Sequence, residues 1–198
     1  QAQLEKALGR NPNHVETLLF LADAHIDAER YAEAEQVLLR VFQVNPLDSR
    51  AWAYRAVLAY LRQQPTDVEV CRLFALAWWD GNPEVDHLIG KKISAKYRFA
   101  EGAAFQRRAL ALRADYLPAK IQLSQDLLRL GEDGEGWQLA ADVHGRDGYN
   151  IVAHNLVTLH DHLAKFRVLK GEGLLIRMDA AEADIYGHRV VELLQRAR

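Results

Sequence analysis

Histidine, cysteine and clustered charge are the residue types from which a catalytic or metal site would be built, and this chain holds eight histidines and one cysteine. The densest histidine group is His154, His160 and His162 beside Asp161. Two residues apart on a helix means facing apart, and the i, i+4 pair that a helical zinc site uses is missing from this group. The spacing therefore predicts no metal site. The chain has no HExxH, no phosphate-binding glycine loop of the usual spacing and no GxSxG. The stretch GEDGEG, residues 131–136, resembles a glycine cradle only superficially, because its carboxylates would repel phosphate. It is expected to be a turn between two helices. Cys71 lies in the apolar run VCRLFALAWWDG, where a buried, inert thiol is expected. No catalytic residue, cofactor or metal is expected in this chain.

Charge excludes further classes. With 25 Lys plus Arg against 27 Asp plus Glu, the formal charge of −2 gives no global attraction for nucleic acid or anionic lipid. The densest basic group, Lys91, Lys92, Lys96, Arg98, Arg107 and Arg108, has no interleaved aromatics and reads as a solvated helical face. No apolar run approaches the roughly 20 residues that span a bilayer. Trp78 and Trp79 are adjacent on one predicted helix, where one or both are expected to pack between repeats, the alternative being an aromatic anchor for a partner. The chain starts at Gln1 and its single methionine is Met178, so it reads as a piece of a longer protein, and its compartment is left open.

The elements that would position any site are helices. Apolar residues keep helical spacing through about 165 residues, and the chain repeats itself. Residues 30–51, RYAEAEQVLLRVFQVNPLDSRA, overlay residues 98–119, RFAEGAAFQRRALALRADYLPA, at an offset of 68, which is twice 34. Pro12 and Pro46 are also 34 apart, each closing a helical run. Helices are predicted near 2–10, 14–28, 31–44, 48–62, 66–80, 83–96, 99–113, 117–130, 133–145 and 150–165. Gly81 is expected to adopt the left-handed conformation after one helix and Pro83 to open the next.

In residues 15–46, VETLLFLADAHIDAERYAEAEQVLLRVFQVNP, large and small side chains alternate through Leu18, Leu21, Ala22, His25, Ala34, Leu38, Val41 and Pro46. This pattern and period resemble the tetratricopeptide repeat. Ala22 and Ala34 occupy positions where antiparallel helices approach closely. The frame continues through Trp52, Ala56 and Ala59, then Ile89, Gly90 and Ile93, then Leu123, Ser124 and Leu127. It departs from the family pattern where Asp80 and Ala114 replace the proline and where Gly102 and Gly136 replace the small alanine. The resemblance implies an all-α, right-handed solenoid of antiparallel helix pairs over residues 1–165, about four full units with partial units at both ends.

It also implies a concave groove lined by the first helix of each pair. The positions that match are Glu16, Leu19, Asp23, Arg50, Val57, Tyr60, His87, Lys91, Ile121, Gln125 and Asn155, with Ala53, Glu84, Leu128, Leu159 and His162 beside them. The Lys and Asn clamp that family members use on chaperone tails is missing, since Leu19 and Asp23 stand there. The expected partner is a protein or peptide, with no nucleic acid and no membrane span.

Residues 166–198 break the repeat. LLIRMD alternates, predicting a strand over Leu174–Asp179 with Leu174, Ile176 and Met178 on one face, its edge open or paired by a neighbouring molecule. Asp179 and Glu182 then form a capping pair for a helix with the stripe Ala183, Tyr186, Val190, Leu193, Leu194 and Ala197. This segment resembles the opening segment of bacterial peptidase MA-like domains of the gluzincin type. The resemblance implies a second possibility beside a scaffold: the chain is the non-catalytic N-terminal part of a zinc metallopeptidase whose HExxH domain lies outside it. A strand and helix that simply cap the solenoid is the other reading of this segment.

Overall fold

The computed structural model describes residues 2–197. The elements run α1 (Ala2–Arg10), α2 (Val15–Asp27), α3 (Tyr31–Val44), α4 (Ser49–Leu61), α5 (Pro65–Leu76), α6 (Pro83–Ser94), α7 (Phe99–Leu112), α8 (Leu117–Leu130), α9 (Asp133–Arg146) and α10 (Ile151–Leu163). A hairpin, β1 (Arg167–Gly171) and β2 (Leu174–Met178), and α11 (Ala180–Arg196) follow. Contacts divide the chain into two compact units, residues 1–139 and 140–198.

Local chemistry fixes the helix starts. Asp48 accepts hydrogen bonds from the amides of Arg50 and Ala51 at the head of α4, and Asn82 accepts from Glu84 at the head of α6, where Pro83 fills the first turn. His14 and Asn150 do the same for α2 and α10. The repeat period is also written into the backbone between paired helices. Glu29, Gln63, Tyr97 and Gly131 are each 34 residues apart, and all four have positive φ, at 61°, 60°, 63° and 80°. Each turn thus uses one left-handed residue to reverse the chain, and only the last uses glycine.

The core of the first unit forms where small residues let helices approach. Ala22, Ala34 and Ala56 have no exposed surface. Helix α4 is buried over Ala51, Ala53, Tyr54, Ala56, Val57, Leu58 and Ala59, so it is an interior helix with only a narrow exposed face. Gly90 of α6 lies against Gly102 and Phe105 of α7: a β-carbon at Gly90 would sit 2.8 Å from the Gly102 carbonyl oxygen. The departure at Gly102 is therefore part of the packing, because a β-carbon there would collide with Ser94 Oγ.

Two local expectations are corrected. Helix α5 stops at Leu76, four residues short of the expected end, which leaves Trp78 and Trp79 in the following turn and 79% and 56% exposed. They do not pack between helix pairs. Gly81 is not left-handed, since the described glycines with positive φ are Gly131 and Gly173; Asn82 and Pro83 supply the start signal without it. In GEDGEG, Gly131 and Glu132 make the turn and Asp133 opens α9, where the predicted helix began.

The second unit holds the larger revision. The predicted strand is present as Leu174–Met178, but it is paired within the chain: β1 runs antiparallel to it, with Leu169 opposite Ile176 and Gly171 opposite Leu174. Glu172 and Gly173 make the two-residue turn, with Gly173 at φ 66°. Helix α11 covers one face of the hairpin through Ala183 and Gly187, which are its buried residues. Gly187 admits Leu169 so closely that a β-carbon would come within 2.7 Å of it. Leu193 and Leu194, expected in the covered stripe, remain 64% and 41% exposed.

Candidate protein-binding surfaces

The residues expected to line a concave groove meet different fates. Glu16 and Arg50 bind each other through two hydrogen bonds between α2 and α4, and this pairing holds the Glu16 carboxyl below its ordinary range. Leu19 and Ile121 are 4% and 9% exposed, and Val57 has no exposed surface, so these three belong to the core and offer no contact area. Asp23 is held by Lys92, whose Nζ lies 2.5 Å from its carboxylate and 2.8 Å from that of Asp27. Lys96 adds a bond to Glu29 at 2.9 Å. Lys92 of α6 thus reaches the C-terminal half of α2, and Lys96, just past α6, reaches the turn that follows α2. Tyr54 also bonds to Asp23, and burial first, then this carboxylate, raises its phenol well above the ordinary range.

The basic cluster is exposed at Lys91, Arg98, Arg107 and Arg108, as expected of a solvated face, and departs from that reading at Lys92 and Lys96. Lys92 is buried and doubly paired. Arg107 binds Glu135 and Arg108 binds Glu69, both at 2.7 Å. Carboxylates distant in sequence pair with Lys92, Lys96, Arg107 and Arg108, which a scan for like-charge runs does not reveal.

The remaining groove positions fall at different places. His87 is half-buried; its Nδ1 and Gln106 Oε1 are 2.9 Å apart, while Gln106 Nε2 donates to the His87 carbonyl. Desolvation lowers the His87 pKa, the Gln106 bond opposing it. Lys91 and Gln125 line a 330 Å³ depression with Tyr97, Phe99 and Arg129. Asn155 is exposed on α10 in the second unit. Tyr60 lines a cleft of 760 Å³.

That cleft lies on the surface of the first unit. It is built around three of the four turns that carry left-handed residues, those of Glu29, Gln63 and Tyr97, and its walls include Tyr31, Lys96, Arg98 and Glu101. Tyr60 Oη donates to Glu101 at 3.1 Å. Tyr97 is 84% exposed and lines both this cleft and the Lys91 and Gln125 depression. A surface with three tyrosines and both signs of charge suits a polypeptide ligand, because aromatic rings supply contact area at low entropic cost and the charges fix register. Sequence reasoning found only Tyr60 of this group. The signal that could have found the rest is the 34-residue spacing of Glu29, Gln63, Tyr97 and Gly131 between the helices.

Among the described residues, no group of three His, Cys, Asp or Glu side chains is placed to hold a metal ion. His154, His160 and His162 do not converge; His154 instead approaches His144, with ring centroids 5.5 Å apart. Burial raises the Cys71 thiol.

Comparison with known proteins agrees with this architecture. Residues 1–58 match the family model described as Tetratricopeptide repeat. A tetratricopeptide repeat protein from Parabacteroides merdae is 18% identical over 79% of this chain and 61% of its own, with a TM-score of 0.57. A thermophilic tetratricopeptide repeat protein of Thermus thermophilus is 17% identical over 78% of this chain and 86% of its own, with a TM-score of 0.56. The chain spans less than two thirds of the Parabacteroides protein's length. None of the curated proteins matches the sequence. The fold is that of the tetratricopeptide repeat: a solenoid of antiparallel helix pairs, with a two-stranded sheet near the C-terminal end.

Proposed function

We propose that this chain is a protein-interaction scaffold whose partner binds in the cleft between the inter-helix turns. Tetratricopeptide repeat folds are in general scaffolds of this kind, because stacked helix pairs present extended surfaces while a continuous core keeps them rigid. The observation that carries the proposal is the 760 Å³ cleft with Tyr31, Tyr60 and Tyr97 on its walls. The groove positions Lys91 and Gln125 extend it through the adjoining depression. Glu16, Leu19, Asp23, Arg50, Val57, His87 and Ile121 then act as the framework behind the surface, since ion pairing or burial occupies them.

The test uses peptides selected from a displayed library against the whole chain. Tyr97→Ala and Tyr60→Ala should each weaken a selected cleft binder about tenfold or more, as expected for central aromatic anchors, with unchanged circular dichroism. Binders indifferent to both substitutions would remove the cleft from consideration.

The metallopeptidase reading concerns the parent protein. Residues 140–198 form their own compact unit, in which a hairpin carries a helix with exposed Ile185 and Leu193, and this favours a unit that packs on something further. An HExxH encoded within about a hundred residues downstream, a typical domain length, is the expected finding in the parent gene. A parent gene ending at Arg198 would leave the capping role.

A further inference from the structure

A second surface lies between α3 and α5, with α4 as its floor. It is a groove of 310 Å³ lined along α4 by Trp52, Arg55, Leu58 and Ala59, with Arg62 just past the helix end. At the end formed by Trp52, three rings are fixed together. Trp52 stacks on Phe74 at 4.5 Å and 17°, tilts against Phe42 at 4.8 Å, and donates its indole N–H to the Pro46 carbonyl at 2.8 Å. Arg55 lies over this group, its guanidinium carbon 5.3 Å from the Trp52 ring centre and 5.9 Å from that of Phe42.

The hydrogen bonding of Arg55 sets it apart. Its neighbours on the same helices are spoken for: Arg50 binds Glu16, Arg62 binds Glu35, and Arg72 binds Asp86 through two bonds at 2.5 and 2.7 Å. Among the described residues, Arg55 forms no hydrogen bond and no ion pair; its contacts are with aromatic faces. Stacked rings restrict a guanidinium to one plane and take water from its flat faces, while leaving its edge donors unused. Such a group is prepared for a carboxylate, which it can bind through two parallel hydrogen bonds. Beside it, Phe74 and Val70 are 44% and 43% exposed and Leu73 is 65% exposed, so apolar surface continues away from the cation along α5.

We infer that this groove is a second docking site, separate from the turn cleft, for an internal segment of a partner protein in which an aspartate or glutamate is flanked by large apolar residues. The carboxylate binds Arg55, and the apolar flank covers Phe74 and Val70. The position of Arg55 argues for an internal segment over a chain end. It stands inside a stripe from residue 52 to residue 62, about 15 Å long at the helical rise, so a ligand bound there has groove on both sides of it. The far end, with Glu35, Arg62, Gln64 and Asp67, is polar and mixed in sign, which accommodates the continuing backbone but offers no second uncompensated cation.

The experiment selects twelve-residue peptides displayed between two folded flanks, so that no free C-terminus is present, against the whole chain. Wild-type chain should enrich an acidic residue at one fixed position beside apolar residues. Arg55→Gln should weaken these peptides at least tenfold, Arg55→Lys should lose part of that, and exchanging the peptide's Glu for Gln should cost about the same on wild type but almost nothing on R55Q. Phe74→Ala should weaken them as well, while Tyr97→Ala leaves them unchanged, so failure here and failure of the turn cleft are read separately. Thermal melts of R55Q and R55K establish that both fold. The proposal is overturned if no peptide depends on Arg55, if the acidic preference survives R55Q, or if binding requires a free C-terminal carboxylate. It is equally overturned if sedimentation shows the chain dimerising through this groove, with R55Q restoring the monomer mass.

Discussion

Gly90 shows how tightly single residues are specified. Alanine is the better helix former by roughly 1 kcal/mol, so propensity alone favours Gly90→Ala. Packing decides otherwise, because the added carbon would lie 2.5 Å from Gln106 Nε2 and 2.9 Å from Phe105 Cβ, as well as against the Gly102 carbonyl. Gly90→Ala should therefore destabilise the chain by about 1–3 kcal/mol, read as a lower denaturant midpoint; a midpoint at or above wild type would refute the close contact. Asp126 is the second case. It is fully buried, with Ser94 Oγ donating to it at 2.8 Å and Gln122 Nε2 at 3.0 Å, and among the described residues no cation is bonded to it. Burial raises its pKa, against the effect of these two bonds. A raised carboxyl binds its proton more tightly in the folded state, so its contribution is present below the ordinary carboxylate pKa and is lost as pH rises through the folded value. Asp126→Asn keeps the hydrogen-bond partners without the charge. Its melting temperature should exceed wild type at pH 7, and the difference should close by about pH 4, where the carboxyl of the wild type is protonated. An Asn variant less stable than wild type at pH 7 would show that the charge is compensated.

At the scale of elements, the turns set the geometry that brings the cleft residues together. A non-glycine residue in the left-handed region costs roughly 1–2 kcal/mol, and Gln63 adopts it with its side chain exposed. Gln63→Gly relieves that cost at some loss of chain entropy, so a gain of about 1 kcal/mol is expected, a rise of roughly 2–4 °C in melting temperature for a chain this size. A fall in melting temperature would mean the Gln63 side chain makes a contact that outweighs the strain. Tyr97 occupies the equivalent position and lines the cleft, which gives that strain a use: the turn presents the ring outward. The hairpin follows the same logic of local devices, with Gly173 turning the chain and Gly187 letting α11 lie close on Leu169.

Within the first unit, long-range ion pairs tie elements that are far apart in sequence. Lys92 of α6 pairs with both Asp23 and Asp27 of α2, and so fastens the third helix pair to the first. Removing it leaves Asp23 with Tyr54 as its remaining bonded partner. Because Asp23 and Asp27 keep some contact with water, with side chains 29% and 55% exposed, the loss should fall below that of a fully buried pair. Lys92→Met is expected to cost on the order of 2 kcal/mol, with faster amide exchange in α2 and α6. Exchange unchanged in both helices would show that the pair does not hold them together. The sequence by itself determined the period, the helix pairs and the small-residue contacts at Ala22, Ala34, Ala56 and Gly90, because these rest on spacing and volume along one helix or between neighbours. It also showed the capping signal at Asp179 and the helix start at Pro83, which act within a turn. Tertiary structure alone decided that Leu19 and Val57 are core, that Lys92 is buried, that Trp78 and Trp79 lie beyond a shorter α5, and that β1 pairs with β2. Burial and charge pairing depend on which distant segments arrive beside a residue, and Arg55 is left with unused donors while Glu35, in the same groove, is bonded to Arg62.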